Sequence, residues 1–132
     1  MGPEDAVRYA IIEQRLRGVG SYPHGAHYAI AVDDPGASFI EGRPQAGAKD
    51  PSKALLAALR DHGVDARGYF ASGGERPWTL LTVGPVRRVG KDTFEAHGKY
   101  YCGLLCAGSN LYQVRVDRGV GQVTGIKTGV VS

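Results

Sequence analysis

The sequence predicts an α+β domain in which an N-terminal helix and a second helix pack on a curved antiparallel sheet formed mainly by the C-terminal half. Apolar residues with helical spacing are confined to the first half of the chain, whereas closely spaced strand-type segments fill the second half. Twenty glycines are spread along the 132 residues without a repeat, which is typical of many turns and strand bends. This length suits one domain, residues 1–132.

The first element is a helix from Pro3 to Arg17. Pro3 suits a first helical position, and Glu4 and Asp5 place negative charge where the helix dipole favours it. Behind them, apolar residues recur at helical spacing and form a wide stripe: Val7, Ala10, Ile11, Ile12 and Leu16. Gly18 is a natural stop, so the helix ends there.

A strand and an irregular segment come next. The run "AHYAIAV" alternates, so that Tyr28, Ile30 and Val32 share one face of a strand, which the turn "DDPG" closes. The stretch from Asp33 to Lys49 is rich in Pro and Gly. It predicts an irregular surface segment with a short strand at "SFIEG".

A second helix follows this segment. Asp50 resembles a helix cap and Pro51 comes directly after it, and Gly63 ends the helical pattern. Its buried side is formed by leucines 55, 56 and 59. The next stretch, "RGYFASGGERP", predicts a turn-rich connection.

From Trp78 onward every segment has strand character. The runs are "PWTLLTV", "VRRVG", "DTFEAHGKYYCG", "NLYQVRVDRG" and "VGQVTGIKTGVV", and short turns between them predict an antiparallel meander. In the third run, alternation divides the residues between two faces. One face carries Phe94, Ala96, Gly98, Tyr100 and Cys102, and the other carries Thr93, Glu95, His97, Lys99 and Tyr101. We expect the first face to meet the helices and the second to meet solvent.

The net charge and the hydropathy of the chain argue against nucleic acids and membranes as partners. The net charge is +3, but Arg87-Arg88 is the only adjacent basic pair, so we expect no nucleic-acid partner. No apolar run is long enough to cross a bilayer, so we expect no membrane partner. We expect a soluble protein, cytoplasmic or exported after removal of a signal that this sequence does not contain.

Four features resemble a group of small, largely uncharacterised bacterial proteins. They are the helical start, the segment "LLAALRDHG", the block "YYCGLLCAGSNLYQVRVDRG", and Ser132 after an apolar strand. The resemblance implies a Gly-Cys hairpin, a C-terminal strand meander and a cystatin-like or nuclear transport factor two-like fold. It carries no catalytic residues across. The chain departs from the group where many members have a tryptophan after the last turn, because this chain has "RGVGQV" there.

The two cysteines, Cys102 and Cys106, are candidates for a metal site, a redox site or a disulfide. A structural zinc site needs four ligands, and the sequence has no second short ligand pair near them. A thioredoxin-like site needs Cys-x-x-Cys at the start of a helix, whereas this spacing is longer and lies between strands. We therefore predict a disulfide at the hairpin tip or two packed thiols, and no metal.

Four polar residues could gather in one pocket or surface cluster: His27, Glu95, His97 and Tyr101. A histidine near a carboxylate and a phenol could serve proton transfer. However, polar residues that alternate with small and apolar ones are also typical of the solvent side of an antiparallel strand. We favour this second interpretation and assign no catalytic residue and no cofactor.

Two functions from different classes remain. The first is a non-catalytic binding or protein-interaction module that meets a protein partner, or a second copy, through an edge strand. The second is a small-molecule enzyme or carrier with a pocket between helix and sheet. We favour the first, because the strand pattern places the ionisable residues on the wetter face.

Overall fold

The fold was taken from a computed structural model, which describes residues 1–18, 27–36, 43–73, 79–103 and 106–128. For residues 18, 102, 103, 106 and 128 it describes the backbone alone. The helices are α1 (Pro3–Gly18) and α2 (Lys53–Asp61). The strands are β1 (His27–Val32), β2 (Asp65–Gly68), β3 (Thr79–Val83), β4 (Arg87–Arg88), β5 (Thr93–Gly103), β6 (Cys106–Asp117) and β7 (Val120–Thr128).

These strands form one sheet in the order β2-β1-β3-β5-β6-β7, and β4 pairs with the first part of β5. The sheet is mixed, because β1 runs parallel to both β2 and β3, while the pairs from β3 to β7 are antiparallel. The predicted antiparallel sheet is thus found in the C-terminal half, and the parallel strands β1 and β2 extend it in a way that the sequence did not indicate. The α+β class is confirmed: two helices pack on an open sheet that comes mostly from the C-terminal half.

Strand β2 explains the difference. The stretch "RGYFASGGERP", predicted as a turn-rich connection, begins in fact with the last two residues of the paired strand β2, Asp65–Gly68. Such a strand has little room for an alternating pattern, so its sequence does not reveal it. Parallel neighbours need a crossover connection, and the chain between β1 and β2 supplies one that contains α2.

The core lies between the helices and one side of the sheet, which we call the helix face. Val7 and Ile11 of α1 and Leu55 and Leu59 of α2, on the apolar sides that the sequence predicts, are at most 1% exposed, and Val114 of β6 is fully buried beside them. On β5 the helix face carries Phe94, Ala96 and Gly98 as predicted. A side chain at Gly98 would meet Ile11 and Tyr112, so this glycine lets α1 lie close to the sheet.

The other side of the sheet, which we call the far face, is also buried at β1 and β3. Ala29, Ala31 and Leu80 are almost inaccessible there, and the burial runs of both strands are nearly continuous. Strands with parallel neighbours usually lie in sheets that are covered on both faces, which fits these runs. The far face is therefore not simply the solvent side.

The cap of α2 differs from the prediction. Ser52 is the N-cap, and its Oγ accepts a hydrogen bond from the Leu55 amide at 3.1 Å. Asp50 instead accepts hydrogen bonds from the amides of Phe70 and Ala71, at 2.8 and 3.0 Å. It thereby fastens the turn after β2. The predicted short strand at residues 38–42 lies outside the described residues.

Neither helix of the described part has the length and apolar character needed to span a membrane.

Candidate functional site

His27 does not join the other three predicted site residues. It begins β1 and its Nδ1 lies 2.5 Å from Oδ2 of Asp65, which begins the parallel strand β2. Both side chains are about half exposed. Since β3 separates β1 from β5, the pair is a contact at the end of two strands and is remote in the sheet order from the remaining candidates.

Glu95, His97 and Tyr101 share the far face of β5, as the alternation predicted. Glu95 forms an ion pair with Arg87 of the neighbouring strand β4. His97 and Tyr101 are four residues apart, roughly 13 Å along an extended strand. Lys99 stands between them, so a histidine–carboxylate–phenol site is not assembled here.

Lys99 overturns the expectation that this face of β5 meets solvent. Its side chain is 1% exposed and its Nζ lies 3.0 Å from Oδ2 of Asp34, whose side chain is fully buried. The Nζ also donates to the carbonyl of Gly36 at 2.5 Å. A buried charge is tolerated when it is paired in this way.

A group of buried or half-buried polar residues surrounds this ion pair, and we call it the polar cluster: Asp34, Thr82, His97, Lys99 and Ser109. Thr82 of β3 and Ser109 of β6 stand directly opposite Lys99 on either side of β5. Oγ1 of Thr82, Nε2 of His97 and Oγ of Ser109 are buried without a hydrogen-bond partner in the described part of the chain. The far face thus has a polar centre across three strands.

The polar cluster joins the segment after β1 to the sheet. Oδ1 of Asp34 accepts hydrogen bonds from the amides of Gly36 and Gln45, at 3.1 and 3.3 Å. Burial lowers the pKa of His97, and the positive charges of Lys99 and Arg87 lower it further. The imidazole is therefore kept neutral beside a cation. The sequence signal that could have revealed the cluster is the pair of carboxylates Asp33 and Asp34 directly after a buried strand, although the same "DDPG" sequence also predicts a turn.

A second charged group lies where α1, β1 and α2 meet. The Arg8 guanidinium contacts Asp5 at 2.9 Å, Asp33 at 3.0 Å and Glu4 at 3.4 Å. Burial opposes its charge, but the hydrogen bond to Asp5 and the charge of Asp33 outweigh this effect and raise the pKa of Arg8. Ser52 Oγ donates to Asp5 at 2.6 Å, which connects the network to the start of α2.

These residues line an open cleft of about 490 Å³ at the N-terminal ends of both helices. Its walls include Glu4, Asp5, Arg8 and Lys49, and Val32 lies at its base. The volume is in the range of small-molecule sites. The charges of the cleft are paired with one another; Glu4, 3.4 Å from Arg8, and Lys49, 3.1 Å from Asp33, are the paired groups that remain mostly exposed at its rim.

The outer edge of β7 is the third candidate. In the described ranges β7 pairs with β6 on one side and with no strand on the other. It has nine residues, no proline and a single charged side chain, Lys127. No residue of β6 stands opposite Thr124, because Val123 pairs with Val114 and Gly125 pairs with Gln113. A bulge of this kind interrupts the regular hydrogen-bond pattern of the edge and so hinders unspecific pairing with strands of other chains.

Two exposed apolar side chains lie on this edge strand. Val120 is 68% exposed and Ile126 is 45% exposed. A groove of about 760 Å³ runs beside β7 on the helix face, and it contains Met1, which is 55% exposed, and Tyr9. Exposed apolar groups next to unpaired strand hydrogen bonds are typical of a surface that binds another chain.

The hairpin predicted around the cysteines is confirmed in its backbone. β5 ends at Gly103, which pairs with Cys106 at the start of β6. The strand β6 starts at Cys106, before the predicted run "NLYQVRVDRG". The side chains of Cys102 and Cys106 lie outside the description, so the disulfide remains a prediction.

Comparison with known proteins finds no protein family, no curated protein and no solved structure that matches this chain. The resemblance to cystatin-like and nuclear transport factor two-like folds therefore remains a hypothesis.

Proposed function

We propose that this chain is a non-catalytic protein-interaction module and that it binds an extended segment of a partner protein by adding it to the outer edge of β7. The observation that carries the proposal is the edge of β7, which pairs with no other strand among the residues that the structure describes and carries two exposed apolar side chains beside an open groove. The backbone N–H and C=O groups of an edge strand supply affinity, and alternate side-chain positions supply specificity.

The packing beneath the middle of α1 supports an interaction surface over an interior pocket, because the larger space, the groove lined by α1, α2 and β7, lies at the edge of the sheet. Beside Ile11, Leu81 and Gly98 the space between α1 and the sheet is about 10 Å³. A buried water molecule needs at least about that volume. A ligand pocket at this point would require α1 to move away from the sheet, at the cost of exposing the core.

The experiment uses random twelve-residue peptides displayed on phage, selected on the full chain and then synthesised. Selected peptides should protect the amides of Val120–Thr128 from hydrogen exchange, while amides of the distant strand β2 keep their exchange rates. If no peptide is enriched, or if protection falls elsewhere, the proposal is wrong.

A variant pair makes this test specific. Thr124→Pro removes an amide from β7 at the bulge, where no residue of β6 stands opposite, so the chain should fold and lose peptide binding. Thr124→Val keeps the amide and removes only the hydroxyl that donates to the Gln113 carbonyl, so binding should persist. Equal binding by both variants would contradict strand addition.

The cleft beside Arg8 favours a second candidate function, a carrier or enzyme for a small molecule. Its rim presents Glu4 and Lys49, which suits a small zwitterion with one amine and one carboxylate. Ligand-detected NMR with a set of amino acids tests this candidate. Binding that disappears in both Glu4→Gln and Lys49→Gln supports it, and no binding at millimolar concentration contradicts it.

A further inference from the structure

The two cations on strands β6 and β7 lie on one face of the sheet, and the exposed Val120, which stands opposite Asp117, lies on that face too. Arg115 stands opposite Gln122, and Lys127 stands opposite Leu111. Both cations lie on the far face, because Arg115 is also opposite Thr93 and Leu111 is opposite His97. Ile126, opposite the buried Tyr112, lies on the helix face.

The cations of this edge are available to a partner. Arg115, Lys127 and Arg118 of the β6–β7 turn are exposed, and none forms an ion pair in the described part of the chain. Asp117 is the one carboxylate within β6 and β7. The far side of the β7 edge therefore has a net positive charge.

We infer that the partner segment is acidic on one face and apolar on the other, with Asp or Glu alternating with aliphatic residues. This inference rests on the proposed strand addition at β7. Successive residues of an added strand point to opposite faces. One set would lie beside Lys127, with Arg115 roughly 10 Å away across β7, close to the screening length at physiological salt. The other set would lie toward Ile126 and the groove that holds Met1.

The same charges argue against the two other occupants of a sheet edge. In an antiparallel pair of β7 strands from two copies, no carboxylate of β7 would neutralise these cations, and the net positive charges of the two edges would repel each other. A nucleic acid would meet the cations through phosphates but would leave Ile126, on the opposite face, in contact with a polar backbone. A protein segment in which acidic and aliphatic residues alternate would place its carboxylates beside the cations and its aliphatic side chains beside Ile126.

Three synthetic nine-residue peptides test the inference: alternating Glu and Val, the same composition in blocks, and alternating Lys and Val. Fluorescence titration should show the alternating acidic peptide binding at least tenfold more tightly than either of the others. Its affinity should fall several-fold between 50 and 500 mM salt, because exposed charges are screened.

Charge variants locate the effect. Arg115→Gln combined with Lys127→Gln should lower affinity for the acidic peptide about tenfold and leave the melting temperature unchanged. Lys53→Gln, an exposed cation at the start of α2, is the matched control and should leave affinity unchanged. Equal affinity for all three peptides, with β7 protected from exchange, would overturn the acidic partner and leave strand addition standing.

Other results are equally decisive. If no peptide protects the β7 amides, strand addition itself is wrong. If light scattering shows a dimer that Thr124→Pro dissolves, the occupant is a second copy and the inference fails. If a single-stranded oligonucleotide displaces the acidic peptide and protects the same amides, the occupant is a nucleic acid and the inference fails.

Discussion

Lys99 is a charged side chain in the interior, and Asp34 neutralises it at 3.0 Å. Removal of one member of a buried ion pair leaves the other uncompensated, at a cost of about 3–5 kcal/mol. We therefore expect Lys99→Met to lower the free energy of unfolding in urea by about that amount. Adding Asp34→Asn should restore part of it, because an amide oxygen can still accept from Gly36 and Gln45. A loss below about 1 kcal/mol in the single variant would mean that Asp34 reaches solvent.

His97 should make stability depend on pH. Its pKa is lowered in the folded state, mainly by burial, so below the unfolded pKa of about 6.5 the unfolded chain binds a proton that the folded chain does not. Stability is therefore fully present above that value and falls as the pH drops toward the folded pKa. Urea unfolding between pH 7.5 and 5 should show a smaller loss for His97→Gln. Thr93→Val, on the same face of β5, should keep the wild-type dependence.

For individual residues, the sequence predicts which side chains share a face of a strand. It does not predict whether another part of the chain covers that face. Alternation placed His97, Lys99 and Tyr101 together correctly. It could not show that Asp34 folds back onto Lys99, because that contact joins residues 65 positions apart through an irregular segment. A lysine in an alternating strand has the same local pattern whether it meets water or a carboxylate.

Among the secondary-structure elements, α1 approaches β7 through a small residue. A Cβ at Gly121 would lie 2.6 Å from the carbonyl oxygen of Ala6, a backbone atom that cannot turn aside. Gly121→Ala should therefore displace α1 and lower the melting temperature. Gly125→Ala, on the same strand, meets only Gln113 at ordinary contact distance and should be neutral or mildly stabilising. Similar melting temperatures for the two variants would mean that α1 is not held against β7.

The β5–β6 hairpin carries the cysteine prediction. A bridge between Cys102 and Cys106 would close a very short loop, so it should stabilise by less than the roughly 3 kcal/mol of a 15-residue loop. We expect the double change Cys102→Ser and Cys106→Ser to fold with a modestly lower melting temperature. Thiol counting in denaturant and metal analysis of the same sample complete the test. One zinc ion per chain would contradict the prediction of no metal. Two free thiols would exclude the disulfide and leave the alternative of two packed thiols.

Long elements were predictable and short ones were not. The periodicity of α1 and the alternation of β5 extend over many residues, so their type and faces could be inferred. The edge strand β2 has four residues, and its parallel pairing with β1 depends on the helix that connects them. Ser52 rather than Asp50 caps α2, because Asp50 is engaged by amides beyond β2 that the local sequence does not indicate.

For the whole molecule, the two halves of the sheet differ in how their strands come together. β5, β6 and β7 are consecutive in the chain and pair as neighbours, and the turn at residues 118–119 joins the last two. β1 instead pairs with β3, although α2 and β2 lie between them in the chain. The antiparallel half could thus be inferred from the sequence as a meander, whereas the parallel half depends on contacts between distant segments.

This arrangement sets the order in which the native structure should assemble. Pairing between neighbours costs little loop-closure entropy, so the β5–β6–β7 meander should form before the transition state, and β1 should insert beside β3 after it. In stopped-flow refolding, Val114→Ala should mainly slow folding, whereas Ile30→Val should mainly speed unfolding. The edge of β7 that is unpaired in the described part of the chain would then be exposed early in refolding, before α1 covers the adjoining face, so aggregation of the refolding chain should begin there.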